Sequence, residues 1–310
     1  MNLLALVLAG GEGTRLHPLT EQHAKPALPF AAGRRIVDFV LSNLVNSGIG
    51  RICVLAQYKP ESLMEHIEDA WRGRFAAQGV SIEVILPPAA PDGAQYKGTA
   101  DAVYRNLAVV RRHSPDLVAV FAADHVYRMD IRQMVRFHRQ KGAEVSIAAV
   151  PVPLHAAPSF GILDMGRDER VIAFEEKPQR PAVIPDNPGH AYASMGNYLF
   201  EPRTLTTVLE QGALCGGTDF GRDLLPGLVR SRRVFAYDFS GNRVPGVRKF
   251  EEAGYWRDVG TLESLVAARN DVLGPRPRFN LQNRQWPIHG IGLAALRETQ
   301  REAPPRALAG

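Results

Sequence analysis

Short apolar runs alternate with amphipathic stretches over the first 150 residues of the chain. The runs Leu3–Ala9, Arg51–Ala56, Ser81–Leu86, Leu117–Ala122 and Glu144–Val150 have the length of strands and end at turn residues. Between them, Arg35–Asn46, Glu61–Trp71, Thr99–Arg112 and Ile131–Gln140 carry apolar residues at helical spacing. In the first of these, Ile36, Phe39, Val40 and Leu44 share a face, and Ser47-Gly48 ends it. This alternation predicts an α/β fold of Rossmann-like type, a mixed, mainly parallel sheet flanked by helices. Ligands of such sheets bind in the loops that follow the carboxyl ends of the strands.

The pattern changes after residue 150. Phe160–Leu163, Val171–Phe174 and Ala191–Phe200 read as strands. Helical spacing returns at Pro202–Gln211 and Phe220–Arg230, followed by a strand over Val234–Phe239. A last helix is predicted over Leu262–Leu273, with Thr261 as its N-cap and Gly274-Pro275 as its stop. Residues 1–275 are therefore assigned to one catalytic domain. Residues 276–310, rich in Pro, Arg and Ala, are assigned to a linker stub and basic tail, partly disordered. No internal repeat is visible.

Charge adds little to this picture. The chain of 310 residues is 45% hydrophobic and carries a net +5. The tail's six arginines against Glu298 and Glu302 supply +4 of that, so the body is nearly neutral. A basic face for nucleic acid is not expected. The longest apolar run near the start, Leu3–Ala9, is a strand in length, and no run approaches the ~18 residues of a membrane span. Cys53 and Cys215 make neither a disulfide framework nor a zinc site, which fits a cytoplasmic protein.

Candidate chemistry lies at the predicted strand ends. Gly10-Gly11-Glu12-Gly13-Thr14-Arg15 follows the first strand, and glycines there let backbone N–H groups approach an anion. The segment is neither a P-loop nor a dinucleotide fingerprint, since no Gly-Lys-Ser/Thr follows and Leu16 stands at the third glycine position. As glycines alone it is equally an ordinary turn. Arg15 within it and Lys25 ten residues on favour a triphosphate cradle. Asp124 ends the fourth strand, where a carboxylate suits Mg²⁺ or caps a turn. Asp258 precedes the last helix with the same two readings. His125 reads as structural, because no second histidine stands at metal spacing. Glu176-Lys177 is a weak signal alone, and Gly98-Thr99 opens a predicted helix whose N-terminus either is capped or holds a phosphate or a polar base edge.

Taken in order, these segments resemble the sugar-phosphate nucleotidyltransferases, and within them the bacterial glucose-1-phosphate adenylyltransferase branch. The likeness is carried by LAGGEGTRL (8–16), AKPA (24–27), RIVDFVLSN (35–43), AQY (56–58), YKGTADAV (96–103), ADHVYRMD (123–130), FGIL (160–163), FEEKP (174–178), SMGNYLF (194–200), DFGRD (219–223), YWRDVGT (255–261) and FNLQNRQWPI (279–288). The resemblance implies adenylyl transfer from ATP to glucose 1-phosphate, giving ADP-glucose and pyrophosphate. It implies that Arg15, Lys25 and Asp124 are catalytic. Gly10, Gly11, Gly13 and Thr14 would hold the nucleotide phosphates, and Gln57, Gly98, Thr99 and Ala100 would face the base. Tyr96, Gly161, Glu176, Lys177 and Ser194 would bind glucose 1-phosphate, and Asp124 and Asp258 would hold Mg²⁺.

Some positions depart from the family pattern: Gln95 for a frequent tryptophan, Ala123 for glycine, Ala31-Ala32 for Gly-Gly, Arg222 for lysine, and Gly33 where enterobacterial members carry an activator-binding lysine. None removes a phosphate cation or a metal carboxylate. Family members also continue into a left-handed β-helix, and the text after Ile288 does not follow them there. The resemblance implies a homo-oligomer, weakened or altered without that domain. Transfer from dTTP or UTP, and a non-catalytic regulatory subunit, stay open as alternative readings. YKGTADAV and YWRDVGT speak against the former, and the retained cations and carboxylates against the latter.

Overall fold

A computed structural model describes residues 2–88 and 95–291. Seven strands form the main path of the central sheet, in the order Val171–Glu176, Gly161–Met165, His190–Phe200, Leu117–Ala122, Leu3–Ala9, Arg51–Ala56, Ser81–Ile85. Val145–Pro153 pairs with His190–Phe200, and Val234–Asp238 pairs with Val145–Pro153. The half built from residues 3–122 is parallel, and His190–Phe200 joins it antiparallel through Asn197–Phe200. The sheet is thus mixed, as the alternating pattern predicts.

Three strands of the parallel half, Leu3–Ala9, Arg51–Ala56 and Leu117–Ala122, are buried on both faces, which explains their continuous apolar runs, while the edge strand Ser81–Ile85 is partly exposed. In Leu3–Ala9 the odd-numbered residues enter one apolar cluster, with helices Val37–Asn46 and Pro60–Ala70. Leu4 and Leu6 enter a second, with Val103, Leu107 and Leu205. A third cluster lies apart from the sheet. It joins Leu16, Phe39 and Val126 to Tyr255, Leu265, Phe279, Leu281 and Ile288. Residues after Pro275 therefore contribute core to the body as far as Ile288. The remainder of the basic tail, from 292 on, lies outside the described residues.

Several helices differ from expectation: the stretch from Phe220 opens as a π turn over Phe220–Leu224 before the α-helix Leu225–Ser231, and the last helix ends at Asn270, short of Leu273. The first helix starts at Val37, because Arg34–Arg35 pairs as a short strand with Pro29–Ala31. The Thr99–Arg112 helix is broken into Thr99–Arg105 and Leu107–His113. Asn106 lies at the break, and its amide donates to the Ala102 carbonyl at 2.8 Å and to the Tyr96 hydroxyl at 2.9 Å. Such side-chain bonding competes with the helical ladder. The last helix runs over Leu262–Asn270 and carries the expected Thr261 cap, closed into a capping box with Ser264. No described helix is long and apolar enough to cross a membrane.

Candidate active site

Parallel pairing sets the floor of the site. Ala9 lies opposite Ala56, and Leu8 opposite Ala122, so three strands end on one edge of the sheet. The loops leaving them carry Gly10–Arg15, Gln57 and Asp124. They open on a cavity of about 430 Å³.

The two candidate metal carboxylates come from distant parts of the chain. A two-stranded ribbon unites them: His125–Tyr127 pairs antiparallel with Trp256–Asp258, and Asp258 stands opposite His125. One ligand atom each from Asp124, His125 and Asp258 lies within 4.8 Å of the others. Lys25, buried, places its ammonium 2.8 Å from Asp124 Oδ2 and 3.7 Å from Asp258 Oδ1. Burial alone would raise the Asp124 pKa. The Lys25 charge and hydrogen bond, with His125 beside them, outweigh it and hold the carboxyl well below the usual carboxylate range. His125 Nε2 is 3.5 Å from Asp124 Oδ1, and its buried Nδ1 has no hydrogen-bond partner among the described residues. The expectation that His125 is structural rested on histidine spacing alone. Here carboxylates complete the cluster around it.

Arg15 lines the cavity, and a Cβ built on Gly260 would come within 3.0 Å of its Nη2. That puts the guanidinium two residues past Asp258. Gly13 starts the Thr14–Leu16 turn at a φ of 70°, a left-handed conformation that favours glycine. Glu176 and Lys177 line the cavity too: Glu176 ends its strand and Lys177 follows at a φ of 49°, with its ammonium 3.5 Å from Glu176 Oε1. Ser194 sits at the irregularity of its long strand, where its hydroxyl accepts the Gly196 N–H at 3.2 Å.

Of the residues singled out from sequence, Gly10, Gly11, Arg15, Lys25, Gln57, Tyr96, Gly98, Thr99, Asp124, Gly161, Glu176, Lys177, Ser194 and Asp258 line this one cavity. Gly13, Thr14 and Ala100 do not line it. Three residues spend their polar groups on the protein. The Gln57 amide is paired with the backbone N–H and carbonyl of Tyr96. The buried Tyr96 hydroxyl accepts from Asn106. The N–H groups of Ala100 and Asp101 both donate to the Thr218 carbonyl, at 2.8 and 3.0 Å. These two N–H groups are thus capped by protein, while Gly98 and Thr99 still line the cavity.

Asp219, Phe220 and Gly221 also line the cavity. They belong to the quoted DFGRD segment, but no feature of that segment by itself pointed into the site. Asp219 accepts the Thr99 hydroxyl at 2.9 Å, and the Phe220 N–H donates to the same hydroxyl at 3.0 Å. Thr218 approaches so closely that a Cβ on Gly98 would lie 2.5 Å from its carbonyl oxygen. Gly98→Ala should therefore cost about 1–3 kcal/mol of stability. It should also impair activity by displacing residues 218–221. Denaturant melts with parallel rate measurements check both, and an unperturbed Gly98→Ala protein would show that this contact is loose in solution.

A glycine-rich turn, a lysine between two carboxylates and two further cations, Arg15 and Lys177, lining the same cavity make a site suited to phosphoryl chemistry on a nucleotide. The family model described as Nucleotidyl transferase matches residues 4–274, and the chain belongs to that family. Its relatives narrow the assignment to the glucose-1-phosphate adenylyltransferases. The chain is 48% identical over 288 residues to the "Glucose-1-phosphate adenylyltransferase" of Thermodesulfovibrio yellowstonii, covering 93% of this chain and 70% of the relative. It is 45% identical over 304 residues to that of Thermus thermophilus, covering 94% of this chain and 72% of the relative. It is 43% identical over 292 residues to "Glucose-1-phosphate adenylyltransferase 1" of Vibrio cholerae, covering 93% of this chain and 70% of the relative.

Proposed function

We propose that the protein transfers the adenylyl group of ATP to glucose 1-phosphate, forming ADP-glucose and releasing pyrophosphate. The observation that carries this reading is the convergence of Lys25, Asp124 and Asp258 in a cavity that also holds Arg15 and Lys177. The family implies a divalent ion, and the donors fit one. Two carboxylates and one imidazole converge, and oxygen donors suit Mg²⁺. Asp124 and Asp258 would hold it, and when bound it supplies charge that relieves repulsion between the two phosphate groups.

The remaining chemistry falls to the chain's own residues. The glucose 1-phosphate monoester has a second pKa near ~6, so at neutral pH it is already ionised and no general base is required. Its oxygen attacks the α-phosphorus in line, and the bond to the bridging β-phosphate oxygen breaks. The electron pair leaves with pyrophosphate. Arg15 and the Gly10-Gly11 backbone stabilise charge on the nucleotide phosphates, while Gly13 and Thr14, which do not line the cavity, form the turn that aims Arg15. Lys25 does so at the reacting centre. Lys177 pairs with the sugar phosphate, while Glu176, Ser194 and the close backbone at Gly161 orient the hexose. Gln57 and Tyr96 act by fixing each other, which holds the Gly98-Thr99 backbone for the base. Positioning of both reactants supplies a large share of the rate.

Pyrophosphate release measured with glucose 1-phosphate and each of ATP, dTTP, UTP and GTP tests this reading. ATP should give the highest initial rate. A faster rate with dTTP or UTP would overturn the choice of base, and no release with any triphosphate would overturn the reaction. Molar mass in the same preparation tests assembly as a homo-oligomer.

A further inference from the structure

The ribbon that unites the two carboxylates is itself held from outside the cavity. Asn43, fully buried in the helix Val37–Asn46, donates from Nδ2 to the Tyr127 carbonyl at 3.2 Å. Its Oδ1 accepts the Met129 N–H at 3.0 Å. The same oxygen accepts the indole N–H of Trp286 at 3.4 Å. One side chain thus grips the backbone on both sides of Arg128, immediately after the strand His125–Tyr127 whose register sets Asp258 opposite His125. It also ties that backbone to the segment that follows the last helix.

A buried amide is costly unless its donor and acceptors are satisfied, and an apolar residue would pack a helix face at lower cost. Asn43 does not itself line the cavity. A two-stranded ribbon is marginal alone, and this one has only three paired residues per strand. Its register therefore depends on outside anchors. We propose that Asn43 is a positioning residue for the metal carboxylates, and that Trp286 extends this anchoring to the chain beyond residue 279. Removing the amide leaves the Tyr127 carbonyl and Met129 N–H without their partner. The ribbon then loosens, and with it the separation of Asp124 from Asp258. The sugar-side residues Glu176 and Ser194 ride on other strands and are not moved by this change.

This inference rests on the reading that Asp124 and Asp258 hold the divalent ion. The test uses Mn²⁺ as the probe, titrated by electron paramagnetic resonance with ADP-glucose present. Partners of metal ligands typically contribute 10–100-fold in affinity, so Asn43→Ala should weaken Mn²⁺ binding about tenfold. The Mg²⁺ midpoint for pyrophosphate release should rise by a similar factor, while KM for glucose 1-phosphate stays unchanged. If Asn43→Ala does not fold, Trp286→Phe keeps a ring and removes the N–H, and, acting one step further from the carboxylates, should weaken Mn²⁺ binding measurably but by less than about tenfold. A folded variant with unaltered Mn²⁺ affinity overturns the proposal, as does an equal loss in Mn²⁺ affinity and in KM for glucose 1-phosphate. A wild-type chain that binds no Mn²⁺ overturns the metal reading as well, which separates the two failures.

Discussion

Asp124→Asn should lower Mg²⁺-dependent pyrophosphate release by at least about a thousandfold while leaving the fold intact. The substitution is isosteric and removes one negative charge. Asp124 is half-exposed at a strand end, so no core packing is lost. What is lost is the charge that Lys25 meets at 2.8 Å, together with one of the two carboxylates of the cluster. The asparagine amide can still receive a hydrogen bond from Lys25, but it has little affinity for a divalent ion. Initial rates across a Mg²⁺ series, with a melting curve as control, check this. A folded Asp124→Asn protein with undiminished Mg²⁺-dependent release would sink the mechanism.

Glu251→Ala should destabilise the protein by about 3–5 kcal/mol, because it leaves the buried Arg128 charge without its partner. The pair is held at 3.1 Å with both side chains almost wholly inside. Burial pulls the Arg128 pKa down and the Glu251 charge and hydrogen bond pull it back up, so the carboxylate offsets the cost of holding a charged guanidinium inside. Arg128 also donates to the Asn280 carbonyl at 2.6 Å and stacks over the Phe279 ring, 4.2 Å from its centroid. Glu251 further accepts the Asn280 and Arg248 backbone N–H groups at 2.9 and 2.8 Å. The double substitution Arg128→Met with Glu251→Leu should recover part of the loss, since it removes both charges but still leaves those N–H groups without an acceptor. Urea unfolding measures all three proteins. A Glu251→Ala variant as stable as the parent would show that the pair is hydrated in solution.

Much of the molecule is legible in the order of residues. The first strand is read correctly at both ends because Leu3–Ala9 is buried on both faces and therefore apolar throughout. The rule that ligands lie at strand carboxyl ends led directly to Gly10–Arg15 and Asp124. The sequence misses what depends on contacts between distant segments. The break at Asn106 comes from a side chain that meets Tyr96, ten residues away. The capping of Ala100 and Asp101 comes from Thr218, which no local pattern connects to them. Asp219 enters the cavity because it bonds Thr99, 120 residues earlier. His125, which histidine spacing alone reads as structural, stands beside two carboxylates, one adjacent and one supplied by ribbon pairing, and no local window contains the second.

Local composition and periodicity fixed the kinds of element, the mixed α/β class and which residue types could meet phosphate or metal. These are short-range properties, set by side-chain period and turn chemistry. Tertiary structure decided which candidates act together. Only pairing of His125–Tyr127 with Trp256–Asp258 sets two carboxylates beside one buried lysine. Only packing after Pro275 puts Trp286 on Asn43 behind that ribbon. The reason is physical: register and long-range hydrogen bonds depend on how closed loops bring distant segments together, and no local window of sequence contains both partners.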